Sequence, residues 1–330
     1  MKIFVTGGAG YVGSHCVRAL CDADHSVVVY DNLRSGGHRE AVDGRATLVV
    51  GDLGDTPLLD ETLAGGGFDA VMHFASHLNV GESVDEPLKY YRNNVVNSVS
   101  LFTSMAEHGV KRIVFSSTCA TYGIPKACPI TEDMPLNPIS PYGRTKLAFE
   151  WALGDCAAAW GLGATALRYF NASGASADHT IGEDRDPEYH LIPLVLQVAL
   201  GQRESIKVFG TDYPTRDGTC IRDYIHVEDL ADVHRIALET QEQGAFRFYN
   251  VGTGRGVSVR ELIDISRSVT EHAIPEVPTS RREGDPPELY ADATKVMAEL
   301  GWRPKYTDIR STIQTAWNWH RTHPQGYATT

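Results

Sequence analysis

The sequence predicts an α/β protein built on a doubly wound parallel sheet, with a smaller α/β lobe in its second half. Short apolar runs alternate with helix-like stretches, a glycine-rich turn follows the first run, and the texture changes after residue 171. The predicted strands are residues 3–6, 26–31, 46–50, 70–74, 112–117 and 164–169. They are mostly apolar without clean alternation, as strands covered on both faces are. Right-handed crossovers through the intervening helices then give the doubly wound arrangement.

Composition bounds the class of protein. The chain has 330 residues, of which 42% are hydrophobic and 22% charged, which is typical of a globular protein with a sizeable core. A formal net charge of -12 argues against a nucleic-acid or anionic-membrane binder. The sequence has no signal-peptide layout and no apolar run long enough to cross a bilayer, so we expect a cytoplasmic protein. Its six cysteines lack a C-x-x-C, and its histidines lack metal-ligand spacing, so we expect free thiols and no metal site.

The glycine-rich turn covers residues 6–13, with the sequence TGGAGYVG. Gly7, Gly10 and Gly13 satisfy G-x-x-G-x-x-G, and the turn follows a predicted strand and opens a helix. Glycines let the backbone approach a pyrophosphate, and the helix N-terminus faces its negative charge. The turn therefore predicts a Rossmann-type dinucleotide site; a glycine-rich turn without a ligand is the alternative.

Two carboxylates follow the next predicted strands. Asp31 ends the second strand at the spacing expected for the acceptor of the adenine-ribose hydroxyls. A carboxylate there repels a 2′-phosphate, so NAD is favoured over NADP even with Arg34 nearby. Asp52 follows the third strand, and its spacing fits an adenine contact and a turn residue equally well.

A tyrosine and a lysine lie one helical turn apart. Tyr142 and Lys146 share a helix face, and Ser140 with Pro141 supplies a helix start just before them. An ammonium beside a phenol favours the phenolate, so we expect Lys146 to lower the pKa of Tyr142 into the range of a general base. With the glycine turn upstream, this pair predicts proton transfer coupled to a redox cofactor.

The second half has a different texture, with Pro-, Gly- and charge-rich segments between predicted helices at 191–200 and 227–240. A capping box of Ser258 and Glu261 predicts a further helix from Val259. We expect residues 1–171 to form the NAD-binding domain. Residues 172–330 are then mainly a substrate-binding lobe, partly interleaved with the first domain.

Together these residues resemble the extended short-chain dehydrogenase/reductase superfamily and, within it, the UDP-glucose (UDP-galactose) 4-epimerase family. The resemblance spans nearly the whole chain, from the glycine turn to Gly284 and Asp285. Its most specific segments, besides Tyr142 and Lys146, are residues 7–15, 31–33, 90–94, 115–118, 168–171 and 218–226.

The resemblance implies roles for particular positions. Thr118 is implied to hydrogen-bond the sugar O4, Tyr142 to act as base, and Lys146 to hold the nicotinamide ribose. Motifs and resemblance together predict as cofactor contacts Gly7, Gly10, Tyr11, Val12, Gly13, Asp31, Asn32, Ser35, Gly36, Asp52, Leu53, Phe74, Ala75, Asn94, Ser116, Lys146 and Tyr169. The implied UDP-sugar contacts are Thr118, Tyr142, Asn171, His190, Leu191, Val208, Phe209, Arg222, Arg282 and Asp285.

Two of these positions also make sense without the resemblance. An acidic protein that binds a diphosphate needs fixed guanidinium groups, which meet phosphate oxygens in a bidentate fork. Arg222 and Arg282 both lie in loop-like stretches of the second half, where such a clamp could close on the sheet edge.

Three positions depart from the family pattern. Leu78 stands where many members carry a lysine near the cofactor, and His190 replaces an Asn. Leu289 occupies a position whose bulk governs, in the family, whether an N-acetylated sugar fits. Leucine is neither the large aromatic that excludes such a sugar nor the small residue that admits it.

The implied activity is NAD-dependent 4-epimerisation of a UDP-hexose, UDP-glucose or UDP-galactose, through a transient 4-keto sugar. UDP-pentoses (arabinose or xylose), UDP-uronates and UDP-N-acetylhexosamines remain alternative substrates. A 4,6-dehydratase would need an Asp-Glu pair after Thr118, where Cys119 and Ala120 stand. A non-catalytic NAD-binding regulator would be expected to lose Tyr142 or Lys146. The resemblance also implies a homodimer, formed through the helices flanking the Asn94 and Tyr142 regions.

Overall fold

Seven parallel strands form the centre of the protein. The structure, a computed structural model, describes residues 1–282 and 284–328. The strands are β1 (Lys2–Thr6), β2 (Ser26–Asp31), β3 (Thr47–Val50), β4 (Ala70–His73), β5 (Arg112–Thr118), β6 (Gly163–Tyr169), β7 (Asn171–Ser173), β8 (Ile206–Phe209), β9 (Ile221–His226), β10 (Phe246–Val251), β11 (Gly256–Ser258), β12 (Glu276–Thr279) and β13 (Glu288–Leu289). All six predicted strands are confirmed, each to within one residue at either end.

The order across the large sheet is β10-β6-β5-β4-β1-β2-β3, and every neighbouring pair is parallel. The strand order reverses between β1 and β4, which leaves a crevice outside their carboxyl ends. The doubly wound class is confirmed. Strand β10, from the second half of the chain, was not predicted; it pairs with β6 at one edge.

The lobe contains two small sheets. Strand β9 pairs with β7, β11 and β13, and β8 pairs with β12. Because β7 directly follows β6 along the chain, the lobe begins at the carboxyl edge of the large sheet.

The α-helices are α1 (Tyr11–Asp22), α2 (Thr56–Gly66), α3 (Val80–Asp85), α4 (Pro87–Tyr91), α5 (Asn97–Glu107), α6 (Pro141–Trp160), α7 (Leu191–Ala199), α8 (Val227–Glu239), α9 (Val259–Thr270), α10 (Thr294–Leu300) and α11 (Ile309–Thr322). The predicted start of α6 is confirmed, because the Ser140 hydroxyl accepts a hydrogen bond from the Gly143 N–H at 3.1 Å. The capping box of α9 is also confirmed, with both of its hydrogen bonds present.

The core lies in layers on either side of the large sheet. One layer packs α1 and α8 against it, through side chains such as Leu20 and Leu230. The other packs α2, α5 and α6, through Leu59, Phe102 and Phe149. Each fully buried side chain of this size contributes about 1.5–3 kcal/mol, so the layers hold the strand ends in place.

Along residues 1–282 and 284–328, no helix combines the length and apolarity needed to cross a membrane. All six cysteines are free thiols, as expected.

Candidate functional site

A cavity of about 1470 Å³ opens at the carboxyl ends of β1 and β4 and continues between the sheet and the lobe. Nearly every predicted contact lines it, including the glycine turn, Tyr142 and Arg282. The exceptions are Asn94 and Val208. The structure thus brings together residues that are more than 250 positions apart in sequence, from Gly7 to Asp285.

The glycine turn has the shape that a dinucleotide requires. Gly7 has a φ of +72°, and a Cβ there would lie 2.5 Å from the backbone N of Ala75. A Cβ on Gly13 would lie 2.1 Å from the Gly7 carbonyl oxygen. At Gly10, just before α1, a Cβ would meet only that oxygen, at 3.5 Å, and would otherwise project into open space. The turn therefore presents bare backbone and a helix N-terminus to the cavity, the arrangement that binds a pyrophosphate.

Asp31 is held rigidly at the end of β2. Its Oδ2 accepts the Ala9 N–H at 3.0 Å and its Oδ1 the Leu33 N–H at 2.9 Å. Burial raises the pKa of Asp31, although these backbone hydrogen bonds oppose the rise. Each carboxylate oxygen can accept a further hydrogen bond, so the group can bind ribose hydroxyls and disfavour a 2′-phosphate.

Asp52 has the turn role that its spacing allowed, and it also lines the cavity. Its Oδ1 accepts the Gly54 N–H at 2.8 Å, as a turn residue does, and its Oδ2 accepts from Asn32 Nδ2 at 2.7 Å. Burial raises the pKa of Asp52, but these hydrogen bonds outweigh it and the net shift is downward. Asp52 and Asn32 also line the cavity, where they remain a candidate adenine contact.

The predicted catalytic residues meet beside the glycine turn. Tyr142 and Lys146 come from the first turns of α6, and Thr118 comes from the end of β5. Lys146 Nζ donates to the Ser116 carbonyl at 2.9 Å and lies 5.9 Å from the centre of the Tyr142 ring. A hydrogen bond joins Tyr142 to Thr118.

We expected Lys146 to lower the pKa of Tyr142. That expectation is wrong, because the protein's own groups raise this pKa. Burial raises the pKa of Tyr142 well above its ordinary value, the nearby Tyr169 raises it further, and the Thr118 hydrogen bond only partly opposes this. Burial also lowers the pKa of Lys146 to about 7, against the opposing charge of Glu150. The spacing placed the pair correctly but could not show how deeply both groups are buried.

Asn94 supports the site from behind. Its amide donates to the His77 carbonyl and accepts the His77 N–H, at 2.9 and 2.8 Å, and it also donates to Thr145 Oγ1 at 3.2 Å. It thereby ties the loop after β4 to α6 without lining the cavity. Asn94 therefore supports the residues that line the cavity, and its predicted contact with the cofactor stays a prediction.

The lobe side of the cavity carries the arginines. Arg222 on β9 pairs with Asp285 and donates to the Ile221 carbonyl at 2.7 Å. The Arg282 guanidinium lies 3.9 Å from the centre of the Phe209 ring. Val208, between the cavity residues Lys207 and Phe209, instead buries its side chain in the core of the lobe, because alternate residues of β8 face opposite sides.

Sequence reasoning missed a polar group on the segment before α7. Glu183, Arg185, Glu188 and Tyr189 line the cavity beside the predicted His190. No motif marks them, and only the fold brings them to the site. Ligand atoms of Glu183, Glu188 and His190 lie within 4.8 Å of one another, but an Arg185 nitrogen 3.6 Å from Glu183 opposes a bound cation.

Known proteins are similar to this chain in sequence. Residues 3–252 match the NAD-dependent epimerase/dehydratase family. The UDP-glucose 4-epimerase of Halalkalibacterium halodurans is 51% identical over 330 residues, covering 100% of this chain and 98% of that protein. The UDP-glucose 4-epimerase of Corynebacterium glutamicum is 51% identical over 317 residues, covering 96% and 95%.

Solved structures agree in three dimensions. The Bifidobacterium longum UDP-glucose 4-epimerase in complex with NAD+ and UDP is 37% identical, with a TM-score of 0.95 over 99% of this chain and 100% of that one. The Brucella ovis UDP-glucose 4-epimerase in complex with NAD is 46% identical, with a TM-score of 0.92 over 96% and 97%. The chain therefore belongs to the NAD-dependent epimerase/dehydratase family, as the sequence resemblance implied.

Proposed function

We propose that this protein catalyses the NAD-dependent 4-epimerisation of a UDP-hexose, interconverting UDP-glucose and UDP-galactose. The observation that carries the proposal is the meeting of Tyr142, Lys146 and Thr118 between a dinucleotide-shaped turn and an arginine-bearing lobe, all on one cavity. Relatives about half identical over their full length are UDP-glucose 4-epimerases.

The residues of the cleft fit NAD. Bare backbone at Gly7, Gly10 and Gly13 receives the pyrophosphate, and Asp31 receives the adenine ribose. When bound, NAD+ would supply the hydride acceptor and donor for the sugar C4 and a positive charge in the cavity. Lys146 lines the same cavity, and we assign to it the nicotinamide ribose.

The chain's own residues move the proton. Tyr142 accepts the proton of the sugar 4-hydroxyl and later returns it, while Thr118 hydrogen-bonds the same oxygen. Because burial raises the pKa of Tyr142, the residue rests as a neutral phenol and needs nearby positive charge to become a base. With its pKa near 7, Lys146 can supply that charge or pass on a proton near neutral pH.

The lobe holds the part of the substrate that does not react. Arg222 and Arg282 are placed to grip the diphosphate, and the ring of Phe209 offers a flat face beside Arg282. Binding energy on the nucleotide leaves the hexose free to present either face of C4, which inversion requires.

The experiment that tests this function is a substrate panel. Purified protein is given UDP-glucose, UDP-galactose, their N-acetyl forms and UDP-xylose, and product stereochemistry is read by NMR. Interconversion of the two hexoses as the fastest reaction supports the proposal. Faster conversion of a pentose or an N-acetylhexosamine would reassign the substrate, and no conversion of any UDP-sugar with NAD bound would indicate a regulator.

We also propose a homodimer formed by α5 and α6. Exposed apolar side chains support this contact: Val99 on α5, Val96 just before it, and Trp151 on α6, which is 64% exposed. Sedimentation tests the dimer directly. We propose separately that the protein acts in the cytoplasm and in galactose metabolism. We further propose that residues 1–171 serve as the cofactor domain and 172–330 mainly as the substrate lobe, with β10 interleaved.

A further inference from the structure

A buried carboxylate supports the histidine that stands at the sugar-nucleotide end of the cavity. Glu183 is only 4% exposed, and its Oε1 lies 2.5 Å from Nδ1 of His190. Arg185 approaches the same oxygen at 3.6 Å. The carboxylate therefore lies between an imidazole and a guanidinium.

The other nitrogen of the imidazole is free to meet a ligand. His190 lines the cavity and its side chain is 37% exposed. Of its ring nitrogens only Nδ1 has a hydrogen-bond partner within residues 1–282 and 284–328. His190 is also the residue before α7, whose first residues Leu191 and Ile192 line the cavity. His190 and the start of this nine-residue helix thus line the same cavity.

We propose that Glu183 is a positioning residue that holds His190 as an imidazolium, so that Nε2 donates a charged hydrogen bond to the diphosphate of the UDP-sugar. This inference rests on the proposed function and adds to it a second cationic anchor beside the arginines. The carboxylate acts through the histidine and does not touch substrate.

The charges around the pair support this protonation state. Burial lowers the pKa of His190, but the charge and hydrogen bond of Glu183 outweigh burial and the net shift is upward. Arg185 lowers that pKa and Glu188 raises it, while His320 on α11 faces Glu183. Burial, and then the charge of Glu183, raises the pKa of Glu188 to about 7, so Glu183 is the carboxylate that stays charged.

Two phenols near the pair carry no charge at neutral pH. Burial raises the pKa of Tyr189, and burial also raises that of Tyr11 on α1. The imidazolium therefore faces the cavity from among neutral phenols, with Arg185 as the one other cation on its segment.

The test is the pH dependence of UDP-glucose binding, measured by calorimetry on NAD-loaded protein from about pH 6 to about pH 10. The pyrophosphate of this ligand keeps a constant charge over that range and its uracil loses the N3 proton only at the alkaline end, so a step near neutral pH belongs to the protein. In the wild-type protein the Kd should weaken about tenfold as pH rises through the pKa of His190. His190→Asn should remove this step, while any step from Lys146 or Glu188 remains.

The Glu183→Gln variant tests whether the charge of Glu183 positions His190 or whether the side chain only packs against it. It keeps the shape of the side chain but should move the midpoint of the step down by about one to three pH units. Asp60→Asn is the matched control. Asp60 Oδ1 lies 2.7 Å from Nε2 of His108, and neither residue lines the cavity, so the variant should leave the profile unchanged. Nitrogen-15 NMR of wild-type histidines gives a readout without mutation: at neutral pH both ring nitrogens of His190 should be protonated.

The outcomes separate the two proposals. An unshifted midpoint in Glu183→Gln, or a neutral His190 by NMR, overturns the role of Glu183 while UDP-glucose still binds and is epimerised. A wild-type protein that binds no UDP-sugar at any pH would instead overturn the proposed function.

Discussion

Replacing Tyr142 with Phe removes one oxygen from the centre of the cavity and should stop the chemistry while leaving the cofactor site intact. The ring remains packed in α6, and the lost group is the phenol that hydrogen-bonds Thr118. Loss of a general base lowers turnover by about 10²–10⁴-fold, or about 3–5 kcal/mol of transition-state stabilisation. NAD should stay bound, because none of the Gly7, Gly10 and Asp31 contacts changes.

The assay is the initial rate of conversion of UDP-galactose to UDP-glucose by NMR, with NAD content measured after denaturation. Tyr213→Phe is the matched control: it removes the oxygen of another buried tyrosine, and the residue does not line the cavity, so turnover should stay near wild type. Near wild-type turnover in a Tyr142→Phe protein with full NAD would refute the assignment of the base.

Three further predictions concern binding and stability. Arg282→Ala should weaken UDP binding about tenfold or more with little effect on NAD, and the exposed Arg310→Ala should change neither; equal UDP affinity in both would count against the clamp. Glu150→Ala should lower the free energy of unfolding by about 3–5 kcal/mol in denaturant titrations, because it leaves the buried Arg168, which Glu150 contacts at 3.0 Å, unpaired. Lys146 has a folded-state pKa of about 7, lowered by burial, so the unfolded state binds more protons above that pH and the stability due to this group rises from about pH 7 to about pH 10. Lys146→Met should lack this rise, and an identical pH profile would contradict it.

The sequence was sufficient for the large sheet up to β6, because a strand covered on both faces must be apolar along its whole length. Strand β10 was harder to predict, since Arg247 and Asn250 interrupt its apolar pattern. It lies at the edge of the sheet, where side chains such as Arg247 reach solvent and pair with Glu242. A charged residue on an edge strand does not conflict with the fold, but it hides the strand from a pattern-based prediction.

The candidate site was predictable where motif and geometry coincide, as at the glycine turn and at Ser140, Tyr142 and Lys146. The site was less predictable where a side chain could point either into the cavity or away from it. Asn94 turns its amide to the His77 backbone, and Val208 turns into the core of the lobe. Glu183 gave no signal at all, because a single carboxylate in a charged loop resembles any solvated residue until the fold buries it.

The pKa values of the site residues were the property that the sequence predicted least well. The spacing of Tyr142 and Lys146 indicated an ammonium beside a phenol, and the helix places them so. The shift of each pKa, however, depends on desolvation, which reverses the expected direction for Tyr142. The proposed cycle therefore needs the charge of the bound dinucleotide as well as that of the lysine.

In the proposed cycle, the hydrogen on C4 leaves the sugar and comes back to the same carbon of the same molecule. UDP-galactose carrying deuterium at C4 tests it most directly, in ordinary water and with no added NAD. We expect UDP-glucose with deuterium retained at C4. Loss of the label to solvent, or inversion at another carbon, would contradict it.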